Sequence, residues 1–291
     1  MDYITVDLEW NGNISGRTRQ YFNELIEIGA VRCDGDFSVV DTFQILIKPW
    51  HHRRLTGRVR DLTGLTSDDV RGGIDFVDAI DIFAEWLPAP SQGGSPCFLS
   101  WGTGDILVLL ENLGYWDMTD RLSMIGSFCD AQAVCMEALG LDSSRQPSVA
   151  AVAEAAGIET DTGELHRALE DSVVTARCLK ALATPDLIKK HTHLADADFY
   201  GRITFKPRYI CDPDNPIIPR GAFRHDCPDC GGRLERKGKF FTRGRAICAE
   251  YQCGACGKSY IIKDQFRLTY DGLIHKVTII EKQDTVAEKE N

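Results

Sequence analysis

The 291-residue chain lacks any run of the roughly 20 consecutive apolar residues that a membrane-spanning helix needs. Its opening, Met1-Asp2-Tyr3, lacks the basic and apolar regions of a signal peptide, so a cytoplasmic address and no membrane partner are expected. Also missing are G-x-x-x-x-G-K-[ST], a G-x-G-x-x-G after a strand, G-x-S-x-G and H-E-x-x-H. Their absence sets aside P-loop, Rossmann dinucleotide, hydrolase-elbow and zincin chemistry. No internal repeat or low-complexity run occurs. Eleven cysteines are present, an odd number. Without an export signal they argue for thiols or metal ligands and against a disulfide framework. Hydrophobic residues make up 43% and charged residues 26%, enough for a sizeable core, and the length suggests one large domain plus a smaller one.

A formal net charge of -10 would ordinarily speak against a nucleic-acid partner, but the charge is segregated. Residues 219–267 carry 11 Lys/Arg against 5 Asp/Glu, whereas residues 1–218 carry 19 against 33. An acidic body is joined to a basic module.

The first half alternates strand and helix signals. Residues 3–8, 25–31 and 42–47 are β-branched and apolar with short turns between them, as in an antiparallel meander. Helix is expected over 74–87, a buried strand over 97–101, and helices over 105–113, 148–156 and 168–183, an α/β pattern. Prolines at 185, 207, 213, 216 and 219 mark the linker. The expected organisation is a domain over 1–184, a linker over 185–218, a basic module over 219–267, and an extension over 268–291 with a frayed tail.

Asp7-Leu8-Glu9 places two carboxylates at i and i+2 on a strand, so both leave the same face. Buried there, the pair needs water or a cation; a strand end reaching solvent is the plainer alternative. Asp105 stands where a buried strand turns into a helix, which is also an ordinary first-turn position for an acid. His166 and Asp171 are five residues apart, about 140° around one helix, so His166 is expected at or before the helix start and Asp171 in its early turns.

Together these segments resemble the DEDDh 3′–5′ exonucleases, the DnaQ-like group of the ribonuclease H-like fold, over roughly residues 1–184. Val6-Asp7-Leu8-Glu9-Trp10, Ser100 through Asp105, and His166 through Asp171 are similar to the three exonuclease motifs, including the His-x4-Asp interval. Residues 24–31 and Leu62-Thr63-Gly64-Leu65-Thr66 resemble its second strand and substrate-abutting loop; the flavour is that of the histone-mRNA exonuclease branch. Gly104 before Asp105 and Trp10 after Glu9 depart from the commoner residues.

The resemblance implies a ribonuclease H-like mixed sheet flanked by helices and two Mg²⁺ or Mn²⁺ ions, which suit hard oxygen donors. It implies that Asp7 bridges both ions, that Glu9 and Asp171 complete the first site, and that Asp105 supports the second. His166 is then the general base. Trp10, Leu62 and Leu65 are the implied substrate contacts, with the leucines packing on the 3′-terminal base.

Cys227-x2-Cys230 and Cys253-x2-Cys256 form two hooks separated by 22 residues, with glycines after each, as in a Cys₄ zinc ribbon holding one structural Zn²⁺. A thioredoxin-type pair is the competing reading, and no βαβ unit surrounds it. The remaining cysteines are expected as buried thiols. Phe240, Phe241, Tyr251 and Tyr260 are interleaved with six basic residues between 233 and 245. That mixture suits phosphate attraction and base stacking; alternatively the aromatics form the core and the ribbon docks a protein.

The sequence therefore points to a metal-dependent 3′–5′ exonuclease acting on single-stranded RNA or DNA ends. A non-catalytic nucleic-acid-binding adaptor and a proofreading subunit of a polymerase are the alternatives.

Overall fold

A computed structural model describes residues 2–15, 17–88, 95–142, 146–160 and 167–282. The chain divides into two compact units, Met1–Ile203 and Thr204–Asn291. The first opens with the meander β1 (Tyr3–Ile14), β2 (Tyr21–Cys33) and β3 (Val39–Leu46), followed by helices α1 (Gly57–Thr63), α2 (Ser67–Arg71) and α3 (Phe76–Trp86). Then come β4 (Cys97–Ser100), α4 (Gly104–Tyr115), a 3-10 turn at Thr119–Met124, β5 (Ser127–Asp130), α5 (Ala131–Ala138), α6 (Val149–Ala155) and α7 (Ala168–Leu182). The unit closes with α8 (Pro185–His191), β6 (Thr192–Leu194) and α9 (Ala197–Thr204).

Six strands form one mixed sheet in the order β3-β2-β1-β4-β5-β6. The β1–β4 and β4–β5 pairs are parallel, whereas the meander pairs and β5–β6 are antiparallel. Strand alternation decides which side chains face which layer. Ile4, Val6 and Leu8 enter a core with Ile80 and Phe83 of α3 and Ile106, Leu109 and Leu113 of α4. On the other face Val31, Leu99 and Cys129 pack with Val134 of α5 and Ala176 and Leu179 of α7. The odd-numbered residues Thr5, Asp7 and Glu9 are thereby left on the α7 face, where Thr5 Oγ1 donates to the Ser172 carbonyl at 3.0 Å.

Two sequence expectations about the domain edges are corrected. Residues 185–203 are not linker: Pro185 occupies the first turn of α8 beneath a Thr184 cap, and β6 pairs with β5. Proline starts this helix because the first-turn N–H has no helical partner to lose. The ribbon likewise does not end at 267. The second unit is a five-stranded sheet of β7 (Arg208–Ile210), β8 (Leu234–Arg243), β9 (Ala246–Cys253), β10 (Ser259–Thr269) and β11 (Gly272–Glu281). β11 pairs along β10 from Tyr260↔Glu281 to Thr269↔Gly272, so the alternation over 273–280 belongs to the sheet. The tail expected to fray lies, from residue 283 onward, outside the described residues. No helix among the described residues is long and apolar enough to cross a membrane.

Candidate metal centres

The first centre is built where parallel pairing stops. β1 and β4 pair only from Tyr3↔Cys97 to Thr5↔Leu99, so among the described residues the edge of β1 beyond Thr5 has no strand beside it. The Leu8 N–H on that edge donates instead to Asp105 Oδ1 at 3.0 Å. This hydrogen bond holds the 6% exposed Asp105, in the first turn of α4, against β1.

Asp171 arrives from the opposite side. α7 lies so close to β2 that a Cβ on Gly29 would stand 2.1 Å from the Ala168 carbonyl carbon and from the Leu169 nitrogen. Ser172 Oγ donates to the Gly29 carbonyl at 2.9 Å, and Gly29 pairs with Asp7 across the ladder. Gly29 therefore sets how closely the first turns of α7 approach Asp7. Gly29→Ala forces backbone against backbone, and overpacking of this kind costs about 1–3 kcal/mol. The expected result is a melting temperature lower by roughly 3–10 °C together with lost activity, checked by calorimetry and a nuclease assay.

Asp7, Glu9 and Asp171 each offer one carboxylate oxygen, and these oxygens lie within 4.8 Å of one another. Asp105 stands beside the trio with Oδ1 committed to β1. Burial, followed by the charges of Asp105, Glu9, Asp171 and Glu27, pushes Asp7 well above the usual carboxylate range. Burial and then Glu27 raise Glu9 to about 8, and burial raises Asp105 to about 7. A cluster of acids that resists ionisation in its own company matches a cation site, and oxygen donors without thiols suit Mg²⁺ or Mn²⁺.

All four acids line a cleft of about 520 Å³, together with Trp10 and Leu62. Leu65 does not: it is 3% exposed and packs into a small core with Ile26, Leu55 and Val70, so the expected Leu65 wedge is withdrawn. Leu62, 45% exposed on the cleft face of α1, is the leucine available to a ligand. The chain turns at Gly64 (φ 68°), and this sends the following leucine inward. His166 lies outside the described residues; Arg167 is the last extended residue before α7.

Two residues escaped the sequence reading. Glu27 is fully buried opposite Glu9 in the ladder. It receives a fork from Arg167, with Nε–Oε2 at 3.0 Å and Nη2–Oε1 at 2.6 Å, and a bond from Gln44 at 2.8 Å. The fork ties the start of α7 to the sheet and lowers the burden of like charge on Glu9. An acid inside the apolar run 25–31 was the available signal.

The second centre is the cysteine cluster. Cys227, Cys230, Cys253 and Cys256 present sulfurs within 4.8 Å of one another. The Cys227–Cys256 and Cys230–Cys253 distances are 3.7 and 3.4 Å, close to the edge of about 3.8 Å that 2.3 Å bonds to a tetrahedral ion would give. Each hook turns through a left-handed glycine, Gly231 (φ 73°) and Gly257 (φ 74°). The Gly231 and Gly257 amides donate to the carbonyls of Cys227 and Cys253. A Cβ on Gly232 would stand 3.3 Å from Cys230 Sγ and Cys253 Sγ, so glycine keeps room for the cluster.

The aromatics of this unit divide. Tyr251 and Tyr260 are 2% and 1% exposed and form its core, so neither is a stacking surface. Phe240 is partly buried beneath Arg236, and Phe241 is 42% exposed. Of the other cysteines, burial pushes Cys33 and Cys178 to about 11 and Cys129 and Cys135 to about 12, as expected of inert thiols.

A mixed sheet of this order, carrying acids on β1 and at the starts of α4 and α7, defines a ribonuclease H-like nuclease fold. Residues 4–179 match the Exonuclease family (RNase_T), and the chain belongs to that family. The chain is 32% identical over 85 residues to the PolC-type DNA polymerase III of Bacillus subtilis (strain 168), covering 29% of this chain and 5% of that protein. It is 31% identical over 94 residues to the probable 3′-5′ exonuclease KapD of the same organism, covering 32% and 43%. The chain thus matches less than half the length of these curated relatives. Among solved structures, a 3′-exonuclease recognising the histone mRNA stem-loop superposes with a TM-score of 0.52 at 18% identity, covering 62% of each chain. Exonuclease I gives 0.50 at 16% identity, covering 86% of this chain and 55% of that one. These likenesses describe the fold.

Proposed function

We propose that the protein is a metal-dependent 3′–5′ exonuclease that hydrolyses phosphodiester bonds at single-stranded nucleic-acid ends and releases 5′-nucleotides. The observation that carries this reading is the trio of carboxylate oxygens from Asp7, Glu9 and Asp171 within 4.8 Å, in an open cleft. Two divalent ions, when bound, supply positive charge to the attacking and leaving oxygens of an in-line displacement. Asp7, Glu9 and Asp171 would hold them, and Asp105, held against β1 by the Leu8 N–H, would support the second. Leu62 and Trp10 offer apolar contact to the terminal nucleotide.

His166 takes the proton from the attacking water. His166→Asn is expected to lower kcat by about 10²–10⁴-fold with metal binding largely retained, checked by single-turnover kinetics and calorimetric titration of Mn²⁺. Loss of metal affinity instead would make His166 a ligand.

The cysteine cluster holds one structural Zn²⁺, and the second unit helps to capture substrate. In support, Lys237, Lys239 and Arg243 are exposed on β8 near the exposed Phe241. A non-catalytic adaptor accounts poorly for four acids converging at the cost of raised pKa values. The deciding experiment incubates the purified protein with 3′- and 5′-end-labelled single-stranded RNA and DNA, with Mg²⁺, Mn²⁺ or chelator. Metal-dependent release of 5′-nucleotides from the 3′ end supports the proposal, and no cleavage under any condition ends it.

A further inference from the structure

Beyond the acids, the cleft has a second chemical character that the exonuclease reading leaves unused. Residues 50–60 contain four arginines and no Asp or Glu, in a unit whose residues 1–203 carry 17 Lys/Arg against 31 Asp/Glu. Arg58 lines the cleft, on the same face of α1 as Val59, Leu62 and Thr63. Arg53 and Arg54 are exposed just ahead of it. Among the described residues, none of the three forms an ion pair.

The backbone that carries these arginines is fixed from within. The Glu24 carboxylate, 5% exposed, accepts the N–H groups of Trp50, His51 and His52 at 2.5, 2.9 and 3.4 Å. Asn11, fully buried, donates to the Arg54 carbonyl at 3.3 Å and accepts the Thr56 N–H at 3.0 Å. Buried polar groups are thus spent on holding an exposed, all-cationic segment at the cleft wall. A site held this way loses little further entropy on binding.

An aromatic completes the wall. Tyr21 lines the cleft yet is 66% exposed. Its phenol lies on the backbone of Gly12, where a Cβ would come within 2.0 Å of Tyr21 Oη and 2.7 Å of Cζ. Glycine at position 12 lets the ring rest against β1 with its surface open to the cleft. A side chain so placed contributes nothing to a core.

We infer that Tyr21, Arg58 and the Arg53–Arg54 pair form a second subsite that holds the nucleotides upstream of the scissile bond. Tyr21 stacks on an unpaired base, Arg58 takes the adjoining phosphate, and Arg53 and Arg54 take the phosphates beyond it. Alternating π-face and cation is the pattern that single-stranded nucleic acid presents to a protein in reverse, and it is blind to base identity. This inference rests on the exonuclease reading and adds a length requirement. The preferred substrate is a strand of several nucleotides, with the phosphodiester of a lone nucleotide handled less well.

The test compares two substrates, a single-stranded pentanucleotide and the nitrophenyl ester of a nucleoside 5′-monophosphate, with wild type, Tyr21→Ala, Tyr21→Phe and Arg58→Ala. In Tyr21→Ala the ratio of the pentanucleotide KM to the ester KM is expected to rise about 5- to 100-fold, the range for losing one stacking aromatic. Tyr21→Phe should restore most of it. In Arg58→Ala the slope of log KM against log salt for the pentanucleotide should flatten by about 0.7, one phosphate contact on a single strand. Binding of a labelled pentanucleotide with Ca²⁺ as the only divalent ion reads the same subsite without turnover. Cleavage by wild type with equal KM changes on both substrates, or with no change, overturns the subsite. Strand binding that Tyr21→Ala weakens, without cleavage by wild type, keeps the subsite and removes the exonuclease reading. Absence of both binding and cleavage removes both.

Discussion

Asp7→Ala, or Asp171→Ala, is expected to abolish nuclease activity while leaving the fold intact. Each is one of three residues whose oxygens lie within 4.8 Å of one another, so losing either leaves too few donors for the ions. Asp7 is the most crowded of the acids, with burial and four neighbouring carboxylates opposing its charge. Removing it relieves repulsion in the metal-free protein, so the melting temperature measured in chelator should hold or rise. Asp171 sits in the first turn of α7, and that helix meets Gly29 and Thr5 through the backbone of Ala168, Leu169 and Ser172. End-labelled oligonucleotide degradation gives the activity, and calorimetry the stability. Wild-type rates in either variant would refute the assignment of these acids.

Cys256→Ser is the second large effect. With the proposed Zn²⁺ bound, four thiolates would contribute folding free energy directly, since an unfolded chain holds no preformed site. The cluster joins the segment before β8 to the β9–β10 turn, and Cys227 and Cys253 pack in the same core as Tyr251 and Tyr260. Loss of the ion should therefore unfold the second unit around that core. The first unit, a separate compact body with its own cores, keeps its structure. Elemental analysis should find one zinc per chain in wild type and none in the variant. Hydrolysis of a short oligonucleotide should survive, because Asp7, Glu9, Asp105, His166 and Asp171 all precede residue 185. Affinity for longer strands should fall and its salt dependence flatten as basic contacts disappear. Equal binding of long strands by both proteins would assign the second unit to a protein partner or to a purely structural role.

The sequence by itself determined the features that repeat at short range. Alternation placed Asp7 and Glu9 on one strand face, and the apolar periodicities located α3, α4, α6 and α7 to within one or two residues. The paired Cys-x2-Cys hooks with trailing glycines announced a four-cysteine cluster, because the tight turns they need leave a local signature. The tertiary structure decided what depends on residues far apart in the chain. It turned Pro185 from a breaker into a helix start and carried β11 into the second sheet. It buried Leu65 while leaving Leu62 open, since the left-handed turn at Gly64 separates two leucines that look equivalent in sequence. It sent Tyr251 and Tyr260 inward, because a sheet this small needs its large aromatics for a core. Above all, it joined Glu27 to Arg167, 140 residues apart, and pressed α7 onto Gly29, so that acids from three separate segments meet. No local pattern encodes those contacts, because the close approach of a helix to a glycine exists only once the sheet beneath it has formed.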